Sequence, residues 1–198
     1  MTKVNKNIGK FIYDMSMSLD GFITAANACP EAGLGDGGEQ LHNWGFNSAD
    51  PRNHEIAEAW LTMGAIIYGR TTYDHSIKYW KANGPTGDAR VPTIIVSHNA
   101  PKDMPKNGVY VFVDSIGSAL VEARKVAGNK NIGLQGGKVA QQFIAQGLVD
   151  EIFIHLVPVL FGSGTRMIDN LDSKHIKLES TEVIQTKEAT HLRFRVIK

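Results

Sequence analysis

The stretch NIGLQGGKVAQQFIAQGLVDEIFIHLVPVLFGSGTRM (Asn131–Met167) runs in the order apolar strand, Gly136-Gly137, amphipathic helix, second apolar strand, then a Gly-Ser-Gly bend. A β-α-β unit that binds phosphate needs this order. The paired glycines end a short strand (132–134) where backbone N–H groups must approach an anion without a Cβ in the way. The helix over 138–146 would aim its positive end at that anion. The same pair also suits a strand-to-helix turn on conformational grounds alone, and from this stretch both readings stand.

Working outward, strands alternate with helices. The segment 151–157 closes the β-α-β unit, and 176–185 with 189–197 reads as an antiparallel hairpin around a polar turn. Upstream, Asp114 or Ser115 caps a helix reaching Ala127, with Ile116, Leu120, Ala123 and Val126 or Ala127 as its apolar stripe. Segments 65–68, 92–97 and 109–113 read as buried strands. Asp50 and Pro51 start a helix whose Ile56, Ala59, Trp60 and Met63 share a face. Phe11 to Met17 forms the first strand, which Phe22 to Thr24 resumes. The glycine-rich residues 27–47 are long enough to be a lid or substrate loop. The expected fold is α/β: a mixed sheet, mainly parallel, with an antiparallel C-terminal edge and helices on both faces.

Ligands of open α/β sheets gather at the carboxyl ends of strands. Two further strand ends carry suitable chemistry. At Gly69-Arg70-Thr71-Thr72, glycine permits close approach, arginine offers a fork of donors to phosphate, and the hydroxyls complete a cradle; a polar helix cap is the alternative. Ser97 and His98 stand where an adenosine ribose or its phosphate could be held, or simply where a strand leaves the core. No Gly-x-Gly-x-x-Gly fingerprint is present, so a dinucleotide would rest on a sheet other than the usual Rossmann one.

Composition narrows the classes. The 198 residues form one expected domain, with 21 basic and 20 acidic side chains and no basic stripe for nucleic acid. Cys29, the sole cysteine, excludes an intrachain disulfide and reads as a passive loop residue of a cytoplasmic protein. The N-terminal lysines Lys3, Lys6 and Lys10 precede no long apolar run, so export and membrane insertion are not expected. Seven scattered histidines give no zinc spacing, and no metal is expected.

The collinear motifs Ile67–Tyr73, Ile94–Ser97 and Leu134–Ile144 resemble the dihydrofolate reductase fold. Ser18-Leu19-Asp20-Gly21 and the run from Gly147 through Gly164 make the chain similar to the reductase domain of riboflavin biosynthesis and its free-standing relatives. The resemblance implies a nicotinamide cofactor, NADPH with NADH not excluded. Gly69, Arg70, Thr71 and Thr72, with Leu134, Gln135, Gly136, Gly137, Lys138 and Val139, would hold the pyrophosphate. Ser97 and His98 would face the adenosine ribose, with Lys102 or Arg70 as cation for a 2′-phosphate. Asp20 is the candidate catalytic residue, because hydride transfer to a C=N or C=O bond requires a proton source or an oriented water. Met17, Phe22, Trp44, Glu55, Gly164 and Thr165 are candidate substrate contacts, with His54 beside Glu55. The implied substrate is a small heterocycle, a riboflavin-pathway aminopyrimidine such as 5-amino-6-(5-phosphoribosylamino)uracil or a pteridine-like compound. Dihydrofolate reduction and a non-catalytic dinucleotide-binding role are the alternatives. Relatives of this type imply a homodimer, for which the apolar 157–161 run would serve as interface or as core.

Overall fold

The first strand, β1 (Phe11–Ser18), alternates Phe11, Tyr13 and Met15 with Ile12, Asp14, Ser16 and Ser18, and nearly all of these are buried. Burial on both faces places β1 inside a covered sheet. The protein is described by a computed structural model covering residues 8–169, 171 and 175–198. Lys3 and Lys6 lie outside the described residues.

The other strands are β2 (Ala65–Gly69), β3 (Thr93–Val96), β4 (Tyr110–Val113), β5 (Ile132–Leu134), β6 (Glu151–Val157), β7 (Leu178–Gln185) and β8 (Thr190–Val196). They form one sheet in the order β4-β3-β2-β5-β1-β6-β8-β7. The first six run parallel; β8 is antiparallel to β6, and β7 to β8. β5 lies between β2 and β1, its Leu134 level with both Ile67 and Tyr13. This insertion brings the Gly136-Gly137 turn beside the Gly69 turn, although Gly136 follows Gly69 by 67 positions in sequence.

The helices are α1 (Asn43–Phe46), α2 (Pro51–Trp60), α3 (Arg70–Trp80), α4 (Ile116–Ala127) and α5 (Lys138–Ala145). On one face, α4 and α5 bury Ile116, Ala119, Ala123, Val139, Ala140 and Phe143 against Phe11, Tyr13, Ile67, Ile94 and Leu134. On the other, Trp60 of α2 and Tyr73, Ile77 and Trp80 of α3 cover Ile66, Tyr68 and Ile95. A third cluster joins Leu41, Trp44, Ile56 and Ala57 to Val157 and Ala189. The 157–161 run contributes Val157, Val159 and Phe161 to this cluster and leaves Leu160 exposed.

Several elements differ from the sequence expectation. α3 follows Gly69 directly, and its polar start, Arg-Thr-Thr, masks an apolar stripe that begins only at Tyr73. Ala59 is exposed on α2, whose core face is Asn53, Ile56, Ala57 and Trp60. Of Val126 and Ala127, it is Ala127 that completes the α4 stripe, and Ala119 is buried with it. Phe22 makes an isolated bridge with Arg166 in place of a resumed strand. Within residues 27–47, Gly38–His42 forms a 3-10 turn and Leu41 is fully buried, whereas Phe46 is exposed.

Candidate functional site

Two helices begin at neighbouring strand ends without a side-chain cap. Gly69 is the N-cap of α3 and Gly137 that of α5, and neither can satisfy the first-turn N–H groups. The contrast is internal to the molecule, since Asp50 caps α2 and Ser115 caps α4 through their side chains. Two uncapped N-termini at adjacent strand ends present free backbone donors and two positive dipole ends to one region.

Close packing holds this cradle. A Cβ on Gly69 would lie 2.9 Å from Val139 Cγ2, and one on Gly136 would lie 2.9 Å from Thr72 Oγ1. The left-handed residue of the glycine pair is Gly136 (φ +88°); Gly137 has φ −94° and needs space, its Cβ position lying 3.4 Å from Thr165 Cγ2. Tyr13 Oη donates to the Gly136 carbonyl (2.8 Å) and Tyr68 Oη to Gln135 Oε1 (2.6 Å), fixing the turn from beneath. A cradle with room for backbone approach and no room for side chains fits a pyrophosphate. Arg70 is partly committed: its Nε donates to Asp74 (2.7 Å) and its Nη1 to the Asn99 carbonyl (2.7 Å). Thr71 and Lys138 are exposed at the two helix starts.

Beyond Val139 the cradle opens into a cleft of about 530 Å³ lined by Ser97, His98, Asp114, Ser115, Gln142 and Gln146, among others. Ser97 Oγ donates to the Asn99 carbonyl (2.7 Å) and so shapes the turn that carries His98. Asp114 is a site residue that sequence reasoning assigned only to helix capping. Hydroxyls of Ser118 and Ser115 and the nearby His98 hold its carboxyl below the usual range, so it faces the cleft ionised. Gln142 and Gln146 were also unassigned; their i,i+4 spacing on the α5 face toward α4 is the signal that would have found them. Lys102 does not line this cleft.

At the carboxyl end of β1, the Asp20 carboxylate accepts from Ser18 Oγ (2.6 Å), Phe161 N (3.1 Å) and Gly162 N (2.7 Å). These bonds lower its pKa from 3.8 to about 2, the Ser18 hydroxyl contributing most. Such a group carries no proton at neutral pH; the geometry gives it the task of fastening residues 161–162 across the site. The depressed pKa makes this fastening fully present above the unfolded value and lost as pH falls through about 2. The Gly162 amide resonance is therefore expected to titrate with a midpoint near 2, and a midpoint near 4 would show the carboxylate to be free.

Beside Asp20, Phe22 is buried under the Arg166 guanidinium (4.7 Å to the ring centroid). Thr165 N donates to Thr24 Oγ1 (3.0 Å), and Ile23 N to the Thr165 carbonyl (2.8 Å). Gly164, at φ +143°, lies so close to the Thr24 carbonyl that a Cβ would overlap it. Arg166 is exposed, and among the described residues its guanidinium makes a long 3.5 Å contact to the Asp20 carbonyl. It is an available cation next to the Gly137 turn, unassigned from sequence because it follows a bend that reads as structural.

Of the remaining candidates, Met17 packs against the α4/α5 core, and Glu55 and His54 are exposed on α2. Trp44 is 8% exposed, stacks on His155 (4.1 Å between centroids) and donates its indole N–H to Ser16 Oγ (2.9 Å). The polar groups beneath it, Asp14, His155 and His191, were unassigned from sequence, because they stand on three separate strands and form no local motif.

A family model described as the RibD C-terminal domain matches residues 10–192. The uncharacterized protein YwjB of Bacillus subtilis (strain 168) is 25% identical over 175 residues, covering 87% of this chain and 91% of that one. Among solved structures, a Shewanella sp. PV-4 protein described as a candidate riboflavin biosynthesis protein superposes with a TM-score of 0.68 at 18% identity, covering 96% of this chain and 99% of its own. The Thermotoga maritima diaminohydroxyphosphoribosylaminopyrimidine deaminase/5-amino-6-(5-phosphoribosylamino)uracil reductase superposes with a TM-score of 0.66 at 13% identity; the match covers 98% of this chain and 58% of that longer one. Among the described residues, no helix is long and apolar enough to cross a membrane. With 183 of its 198 residues matched collinearly, and with β5 inserted between β2 and β1 beneath a glycine turn, the chain belongs to the RibD C-terminal domain family and has its dihydrofolate reductase-like fold.

Proposed function

We propose that the protein is an NAD(P)H-dependent reductase that delivers hydride to a C=N or C=O bond of a small heterocycle, an aminopyrimidine of the riboflavin type being the substrate class favoured by its family. The observation that carries this reading is the pair of uncapped helix N-termini meeting at Gly69 and Gly137. Gly69 to Thr72 and Gln135 to Val139 would hold the pyrophosphate, and Ser97, His98 and Gln142 the adenosine end. When bound, the dinucleotide supplies the hydride. The chain's own residues then orient the substrate between Phe22, Thr165 and Arg166 and exclude water through the segment that Asp20 fastens. Thermal unfolding with and without nucleotide tests the reading. At about 100 times its Kd a bound dinucleotide adds roughly 2.7 kcal/mol, which raises the midpoint of a domain this size by about 5–10 °C. No shift with either NADPH or NADH at several millimolar would remove the reading.

The donor is NADPH in this proposal, and Asp114 sets how tightly. Its ionised carboxylate faces the same cleft as His98, where a 2′-phosphate would meet it. Two unit charges about 4 Å apart in a water-like medium interact by about 1 kcal/mol. Asp114→Asn is therefore expected to tighten NADPH binding about five-fold and leave NADH unchanged, as read by calorimetry. Equal changes for both nucleotides would place the 2′-phosphate elsewhere.

A further inference from the structure

Beneath Trp44, three strands direct titratable side chains to one point. Asp14 of β1, His155 of β6 and His191 of β8 are 9%, 2% and 0% exposed, and His155 stands directly opposite His191 in the antiparallel register. His155 Nε2 lies 3.1 Å from Asp14 Oδ1, the two Nδ1 atoms lie 2.8 Å apart, and His191 Nε2 lies 2.8 Å from Asn53 Oδ1. The Asn53 amide nitrogen donates to Ser48 Oγ (2.8 Å) and Glu188 Oε2 (3.2 Å), which leaves its Oδ1 as an acceptor.

Counting protons along this chain gives a definite result. The bond to Asn53 requires a proton on His191 Nε2. The bond between the two Nδ1 atoms requires one proton, and the bond between His155 and Asp14 requires another. A carboxylate and two neutral imidazoles bring only two of these three protons. The network therefore holds one proton in excess, residing on His155 beside an ionised Asp14 or on Asp14 beside a neutral ring. Its net charge is then zero, as burial favours. The other charged or titratable groups that face it are Tyr68 near Asp14, His42, Asp50 and Arg52 around the histidine pair, Glu188 behind Asn53, and Arg193 over the Phe153 ring. Burial and the neighbouring His155 push His42 down to about 4, which keeps it uncharged.

We propose that Asp14, His155 and His191 form a buried proton store that supplies the proton accompanying hydride transfer, with Trp44 as its cover. The fate of the proton rests on the reductase reading; its presence rests on the hydrogen-bond geometry alone. The Trp44 indole lies over His155 at a tilt of 40°, edge-on to His191 (4.9 Å), and bonded to Ser16, the next residue along the same face of β1 as Asp14. Phe22 N donates to Ser18 Oγ, the next residue after Ser16 on that face, so a heterocycle held between Phe22, Thr165 and Arg166 that extends along β1 and displaces the indole would meet the same ring and the same hydroxyl. Reduction of its C=N bond adds hydride to carbon as the donor C–H bond breaks. The π pair moves onto nitrogen, and the new N–H bond forms with the stored proton. The network is left one proton short, with two neutral imidazoles and a carboxylate, and is reloaded from solvent. Asp20, held ionised, is thereby relieved of proton delivery.

The test has two arms, both on the full chain. Long-range ¹H–¹⁵N spectra of the histidine rings with the ¹³C shift of the Asp14 carboxyl, at pH 7, count the protons without reference to activity. Three are expected; an ionised Asp14 beside two neutral rings overturns the store. The second arm is single-turnover oxidation of NADPH with 5-amino-6-(5-phosphoribosylamino)uracil as acceptor. Wild type is expected to react at a rate flat between pH 6 and 8. Asp14→Asn, and His155→Gln should the first variant fail to fold, are expected to react at least 100-fold more slowly. Their rates should fall about ten-fold per pH unit as bulk acid becomes the donor, with the thermal shift by NADPH retained. Variants that match the wild-type rate and profile overturn delivery from the store. A wild type that transfers no hydride removes the reductase reading and the delivery step together, while the NMR count judges the store by itself.

Discussion

Gly136→Val is expected to eliminate the NADPH-induced thermal shift and to lower the unfolding midpoint of the protein itself. Two separate penalties act at this position. The residue sits at φ +88°, where an L side chain costs about 1–2 kcal/mol, more for a β-branched one. Its Cβ would also lie 2.9 Å from Thr72 Oγ1, so the Thr72 side chain must turn away. The valine then stands beside the first turn of α3, where the pyrophosphate would be held. A total cost of about 2–3 kcal/mol corresponds to a midpoint about 4–12 °C lower. Gly137→Ala separates fold from function: at φ −94° with a 3.4 Å neighbour it leaves the fold nearly intact while placing a methyl group in the cradle. A folded Gly136→Val protein that binds NADPH with unchanged affinity would show that the phosphate cradle lies elsewhere.

Trp44→Ala should destabilise the fold more than Gly136→Val does. The indole fills the third core cluster, contacts both buried histidines and supplies the hydrogen bond to Ser16 Oγ. Large-to-small replacement of a buried tryptophan costs about 3–5 kcal/mol, which lowers the midpoint by about 6–20 °C. Denaturant unfolding monitored by circular dichroism measures it directly. A loss under about 1 kcal/mol would mean that residues 27–47 are only loosely held to the sheet. Glu55→Ala, on the exposed face of α2, provides the contrast, with a change within about 0.5 kcal/mol.

The strand ends were legible because their signals are local. Glycine pairs, hydroxyls and a basic residue after an apolar run can be read without knowing which strands neighbour one another. Asp20 was legible as a candidate residue, but its full set of partners was not: beside the neighbouring Ser18 hydroxyl, the Phe161 and Gly162 N–H groups come from 141 and 142 residues away. α3 was hidden because its first turn is polar, and Trp44 read as a candidate substrate contact, its packing on His155 being visible only in the fold.

The sequence by itself determined the α/β alternation, the parallel body with an antiparallel edge, the candidate cradle residues and the family resemblance. Each of these follows from periodicity, turn chemistry and motif order within a few tens of residues. Tertiary structure alone decided that β5 inserts between β2 and β1, so that two uncapped helix ends face one ligand region. It alone decided that Asp14, His155 and His191 meet in one buried hydrogen-bonded chain, since strand pairing between residues up to 177 positions apart in the chain has no signature in local sequence.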